Sequence, residues 1–288
     1  MNRSSGGGNI RRNFWGLLFC AVTIFILTSS LPGEERKEAG LSFAMPADRV
    51  LKYKISSQIE QNFFGIDMSI NQSLEVEVSL DKKTEEGNYK ILLAFKKTKA
   101  SRIMDDEIMD WEPPLKLEGK TIYAIVSPAG EVVEVDPGGF IPGMKKIADL
   151  KRVVDPWFID LPDTLVKVGV SWTKEIIEKG DGGEGEEPGV KGEIVYTFKK
   201  IDKKKGIEVA VIEAKIKVNI HNVTPAGVMD AEGKGKGKAY VAIEGGYVVE
   251  GKTTVDIKGK MVKRDPLTGG EKETDMAMSQ YLEIKLKK

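Results

Sequence analysis

A single cysteine and a single histidine, Cys20 and His221, serve a chain of 288 residues. Disulfide frameworks, zinc centres and histidine-assisted nucleophiles each need several such groups in reach of one another, so all three lack their parts here. Aromatic residues make up only 7% of the chain, and Lys plus Arg balance Asp plus Glu at 44 each. Arg3, Arg11 and Arg12 precede the first apolar run, which leaves 41 basic against 44 acidic residues in the remainder of the chain. That slight acidity gives no electrostatic footprint for nucleic acid. The lysines and glutamates are interspersed along the chain and read as a solvated face.

Long apolar runs are scarce too, and the one present is informative. Arg11 and Arg12 stand before NFWGLLFCAVTIFILTSSLP, in which Phe14 to Leu27 is almost wholly apolar. A positive flank followed by such a core is an export signal. From Phe14 to Leu31 the run covers 18 residues, just enough to span a bilayer as an uncleaved helix. Residues 1–31 are therefore a signal peptide, with Thr28 and Ser30 at the small-residue positions, or a retained N-terminal membrane anchor. Both readings place the bulk outside the cytoplasm, in the periplasm or at the cell surface, with the membrane touched only by this segment. Cys20 lies inside the run and follows Phe19, where lipidation would need a small residue, so it reads as part of the apolar core. The exported part holds no cysteine and must be stable through its own core, which a chain of this size can supply.

Residues 32–48 mix Gly, Glu, Lys and Ala and read as a linker; residues 49–288 read as a β-rich extracytoplasmic domain. Ile66, Met68, Ile70, Leu74, Val76, Val78 and Leu80 alternate with Asp67, Ser69, Asn71, Ser73, Glu75, Glu77 and Ser79. Such alternation puts one face on a core and one in water, as in an antiparallel sheet. Further strands are expected over 88–99, 120–126, 131–135, 192–200, 207–221, 237–244, 247–257 and 276–287. Gly245-Gly246 between two apolar runs is a strong hairpin signal. One segment departs from the pattern. Ile141, Met144, Ile147, Leu150, Val154 and Trp157 recur every three or four residues, which predicts one amphipathic helix over roughly 142–155. Two similar halves, about 49–177 and 190–288, are joined by an acidic glycine-rich loop at 178–189. The expected fold is mainly β: a large curved antiparallel sheet, either a half-barrel or a two-sheet domain, with one amphipathic helix packed on it.

Chemistry-bearing clusters are few. His221 falls on the polar face of its strand and reads as a surface residue. MDDEIMDWE supplies Asp105, Asp106, Glu107, Asp110 and Glu112 beside Trp111, a set of carboxylates of the kind sugar hydrolysis uses, but a solvated loop is the plainer reading. Asp181, Glu184, Glu186 and Glu187 lack the ligand spacing and turn glycine of a calcium loop. GKGKGKAY at 233–240 has no strand-loop-helix setting for phosphate and reads as a strand whose glycines allow bending or close approach. No catalytic residue, metal or cofactor is expected. The long strands are the better clue: Ile66 to Leu80 spans 15 residues, against a usual strand length of about 5–6. Long one-sided strands in a twisted sheet curl and leave a concave apolar face to be covered. Met144, Ile147 and Leu150 of the helix and Met276 and Met278 of the last strand are the expected apolar lining of a ligand site there.

IDLPDTLVKVGVSW, from Ile159 to Trp172, carries a further pattern in Leu161, Pro162, Val166, Val168, Gly169 and Trp172. With the export signal and the alternating strands, it resembles an uncharacterised family of exported bacterial β-rich proteins with such a turn. More distantly the layout is similar to the half-barrels of LolA/LolB-type lipoprotein carriers and mycobacterial lipid-carrying lipoproteins. The resemblance implies a β-rich envelope protein and transfers no catalytic residue. From the residues themselves, the stretch is a connector that seats the second group of strands. The expected function is a non-enzymatic exported envelope protein, a structural or protein-interaction module, or alternatively a carrier of a lipid or other apolar ligand on the concave face. The expected partners are correspondingly a lipid or an envelope protein. Whether the space between the helix and the sheet is empty separates the two.

Overall fold

Period-two alternation becomes strand along nearly the whole chain in the computed structural model, which describes residues 37–287 apart from 64, 105–106, 111, 114, 145–146, 163, 180–187, 225–226 and 265–269. In chain order the strands are β1 (Glu38–Gly40), β2 (Leu51–Phe63), β3 (Ile66–Lys83), β4 (Tyr89–Met104), β5 (Glu107–Asp110), β6 (Thr121–Val126) and β7 (Val132–Asp136). A helix, α1 (Ile147–Val154), and one 3-10 turn (Asp155–Trp157) come next. The remaining strands are β8 (Leu165–Lys167), β9 (Ser171–Lys179), β10 (Pro188–Lys204), β11 (Ile207–Thr224), β12 (Gly227–Ala242), β13 (Val248–Arg264) and β14 (Glu271–Leu286). The expected architecture is observed: one large, curved, open antiparallel sheet with, among the described residues, a single short helix.

The sheet has 12 strands, running β7-β6-β4-β3-β2-β14-β13-β12-β11-β10-β9, with β5 paired to β4 off this path. Every neighbour is antiparallel, and β1 and β8 form a separate two-stranded ribbon. Chain order follows spatial order from β9 to β14 and again from β2 to β7. Two places depart from it. Strands β2 and β14, the first and last of the large sheet, pair with each other and fuse the two groups into one surface. The chain must also cross from edge strand β7 to the opposite edge β9, and residues 137–161, with α1 at their centre, make that crossing as a strap.

The strap explains where the core sits. Registers bring Leu51, Tyr53 and Ile55 beside Val78, Val76 and Leu74, and onward through Ile91, Leu93 and Phe95. Ile141, Leu150, Val154, Trp157 and Leu161 of the strap join the same buried cluster. Burying a side chain of this size contributes roughly 1.5–3 kcal/mol, so this end of the sheet is where the fold is held. The strap also ties down both edges. Lys151 Nζ donates to the Val132 carbonyl on β7, and Leu161 N donates to Ala129 O at 2.6 Å. On the other edge, Arg152 Nε meets Glu178 at 3.2 Å and Lys174 Nζ meets Asp160 at 2.8 Å.

Three expectations need correction. The helix begins at Ile147, not near 142, because Pro142-Gly143 forms a turn in which Gly143 has φ +85°. The described part of the linker, 37–48, is not a spacer: β1 pairs with β8, and Ala39, Leu41, Phe43 and Met45 alternate into the core. Its polar residues occupy only the outward positions, which dilutes the average composition. Finally, β9 pairs with β10 and belongs with the second group of strands, although a division into halves at 177 puts 171–177 in the first. The Gly245-Gly246 link does form the β12–β13 turn, with φ of +98° and +61°. A Cβ at Gly246 would run into the backbone of Ser42, which packs directly on the turn.

Tyr53 and Tyr196 are buried, and burial pushes both phenols well above the usual range; Tyr247 and Asp160 respectively add to the effect. Each hydroxyl stays neutral in the fold but ionises in the unfolded chain near pH 10. Stability from these groups is therefore complete below about pH 10 and falls as pH rises above it. Chemical denaturation across about pH 8–11 is expected to show that fall, and Tyr53→Phe to make it shallower. An unchanged slope in the variant would count against the assignment.

Candidate functional site

The space between the helix and the sheet is filled, the outcome expected of a structural or protein-interaction module and not of a carrier with its ligand under the helix. A cavity of about 30 Å³ remains among Phe43, Tyr53, Trp157, Phe158 and Ile284, room for a single water. A larger opening lies further along the strands, beyond the strap. Between Asp155–Ile159 and the inner faces of β9 to β14 runs a groove of about 500 Å³.

Register shows how the groove is built. One transverse row reads Lys174 on β9, Ile194 on β10, Ile216 on β11, Gly235 on β12, Val255 on β13 and Gln280 on β14. The rows on either side place Gly192, Val218, Gly233 and Ile257 above it, and Tyr196, Ala214, Gly237, Thr253 and Leu282 below it. Gly233, Gly235 and Gly237 thus succeed one another along the inner face of β12, where a Cβ has no room at the first two and little at the third. At Gly235 it would lie 2.6 Å from Thr254 O and 2.8 Å from Val255 Cγ2. Neighbouring side chains lean over the glycines, which lets the sheet coil tightly and keeps the floor deep. The GKGKGKAY stretch is therefore a strand with close approaches along its glycine face.

The mouth carries charge, and the charges are paired. Lys174 faces inward and holds Asp160, while Glu178 holds Arg152. Trp172 stacks on Tyr196 with ring centroids 5.6 Å apart and donates from Nε1 to Asp160 O at 2.7 Å. Gly169, with φ +91°, turns the chain into β9, and its N–H bonds to Phe198 O at 2.7 Å. Leu161 and Val166 are buried and Trp172 half-buried, so the IDLPDTLVKVGVSW stretch connects the strap to β9 and fixes one wall of the groove.

The five residues expected to line a site do not meet. Leu150 is fully buried under the strap and Met144 packs half-buried on the same core. Ile147, the first residue of α1, is 54% exposed. Met276 and Met278 pack with Ala231 and Ile257 in a second, smaller cluster. None of the five is among the residues that line the groove. Ile194, Ile216, Val218, Gly237 and Val255 do that instead. The alternation of Ile216 and Val218 with Lys215 and Lys217 was visible, but the meeting of the lining residues depends on strand order.

His221 lies half-exposed on the outer face, its Nδ1 2.6 Å from Asp230 Oδ1 across the β11–β12 pair. Asp105, Asp106, Trp111 and the acidic residues Asp181, Glu184, Glu186 and Glu187 lie outside the described residues. Glu107 is exposed, and Glu112 is exposed with its carboxyl held below the usual range by a hydrogen bond from Lys116. No described helix is long and apolar enough to cross a membrane, and the Phe14–Leu31 run lies outside the described residues. Among the described residues no group of three or more His, Cys, Asp or Glu is placed to hold a metal ion.

No protein-family model and no curated protein matches the chain. Among solved structures it is similar to one of lipovitellin, described as showing lipid-protein interactions in that protein, at 9% identity and a TM-score of 0.49. That match covers 83% of this chain and 25% of the other, so the chain spans about a quarter of lipovitellin's length in that structure.

Proposed function

We propose that this is a non-enzymatic exported protein of the cell envelope whose concave sheet face holds a lipid acyl chain or a similar apolar ligand. The observation that carries the reading is the groove of about 500 Å³ floored by aliphatic side chains and glycines, beside a helix–sheet core that is already full. That volume is within the range of about 300–1,000 Å³ of small-molecule sites, which are likewise mostly apolar with a few polar groups at their margins. An apolar concavity of this kind is costly to leave to water and calls for an occupant. The positive flank and apolar run at residues 11–31 support placement outside the cytoplasm, where a lipid crossing an aqueous space needs such cover. A half-barrel lipoprotein carrier, the more distant likeness drawn from the sequence, would work in the same way.

The structural or protein-interaction reading would act through a sheet edge. Edge strand β9 exposes Ile177 at 64%, but Glu175 and Glu178 guard the same strand, a usual protection against edge pairing. The groove is the better-supported site. Native mass spectrometry of protein released gently from its membrane or periplasmic fraction is expected to show a co-purified lipid. Ala214→Trp, which sets an indole over Gly237, is expected to remove that mass while leaving the circular dichroism unchanged. Protein that carries no lipid and takes up none from offered vesicles would end the proposal.

A further inference from the structure

The transverse row that floors the groove does not stop at Gln280. Register carries it on through Ile59 on β2, Ile70 on β3 and Arg102 on β4 to Met109 on β5. Arg102 is therefore on the same inner face as the groove, three strand spacings beyond Gln280, about 14 Å along the row. Its cross-strand neighbours are Ile70 and Met109. Arg102 Nη2 lies 3.8 Å from Met109 Sδ, and its Nε is buried with no hydrogen-bond partner among the described residues. Thr98 Oγ1, four residues earlier on the same face of β4, is a second such atom.

A guanidinium cannot shed its charge to escape such a setting, because it remains protonated at any ordinary pH. A buried donor left unmade costs more than the bond would contribute if made, and more still when it is charged. The opposite end of the row differs: Lys174 already has Asp160 at 2.8 Å. An aliphatic floor ending at a guanidinium whose Nε lacks a partner among the described residues matches a molecule with a long apolar chain and one anionic end. We infer that the ligand is a long-chain carboxylate, whose chain lies along the Ile59–Ile216 row and whose carboxylate is taken by Arg102. Carboxylate suits the planar fork of a guanidinium, which can donate two parallel hydrogen bonds to it. This inference rests on the apolar-groove reading above.

The test compares one ligand chain with and without its charge: cis-parinaric acid against its methyl ester, titrated by fluorescence into the full-length protein at about pH 8, where the acid is ionised. The wild type is expected to bind the acid at least about tenfold more tightly than the ester, the size of a charge-assisted hydrogen bond. Arg102→Gln is expected to abolish that preference while leaving the affinity for the ester unchanged, and Arg102→Lys to restore part of it. Equal affinity of the wild type for acid and ester would overturn the assignment of Arg102 and leave the groove standing. So would an acid preference that survives Arg102→Gln. Failure of both probes to bind would instead remove the groove reading, and this inference with it. The wild-type comparison decides even if the variants do not fold.

Discussion

Phe95→Ala is expected to lower stability by about 3–5 kcal/mol, the usual cost of truncating a fully buried phenylalanine. Phe95 is 1% exposed and lies at the centre of the strap-covered end of the sheet. Its ring sits 5.8 Å from that of Trp157, the residue that ends the 3-10 turn of the strap. Its backbone is fixed from both sides, donating to Lys120 O and accepting from Gly119 N, each at 2.9 Å. The register slips next to it, where Val76 faces Phe95 but Glu75 faces Lys97. A cavity there cannot collapse easily, since sheet, turn and strap all hold their positions independently, so the cost should fall toward the upper end of the range. For a domain of this size the melting temperature should drop by roughly 6–20 °C in calorimetry. Ile177→Ala, at a largely exposed edge position, is the control and should stay within about 0.5 kcal/mol of wild type. Similar losses in both variants would mean that the core is not centred under the strap.

The physics of that core also accounts for what the sequence made legible. Alternation of Ile66 to Leu80 and of Ile216, Val218 and Ile220 with their charged neighbours is a local property, so strand type and inward faces could be read directly. The long strands pointed to a curved sheet, and that is what they form. Strand order is not local. Nothing along the chain says that β2 meets β14, or that residues 137–161 bridge β7 to β9, and the lining of the groove depends on those pairings. The methionines illustrate the gap. Met276 and Met278 do face inward, but they lie toward the far ends of the strands, in a cluster apart from the helix. Ile147 shares the helical spacing of Leu150 yet is exposed, because it is the first residue of the helix while Leu150 and Val154 further along are buried. Arg102 was invisible for a related reason. An arginine in KKTKASRIM reads as one more solvated charge until the register places it on the inner row.

Gly235→Val is expected to be the other severe substitution, and it bears on the groove itself. An added Cβ at this position would sit 2.6 Å from Thr254 O, a backbone atom of the neighbouring strand, and 2.8 Å from Val255 Cγ2. A side chain can rotate away, but a backbone carbonyl in the ladder can yield only if β12 and β13 flatten. Overpacking of this kind costs about 1–3 kcal/mol, and a β-branched residue against backbone belongs at or above the top of that range. Flattening would also shallow the groove floor, because Gly235 is in the centre of the transverse row. Affinity for the parinaric probes should therefore fall in any Gly235→Val protein that folds. Gly251→Ala offers the opposite sign. On the neighbouring strand its Cβ would meet only Val248 Cγ1 at 3.5 Å, an ordinary contact, so the variant should gain about 0.4–1 kcal/mol through the unfolded state. Urea denaturation of the two variants reads both effects. If Gly235→Val matched Gly251→Ala in stability and in probe binding, the glycine face of β12 would not be what sets the curvature of the sheet.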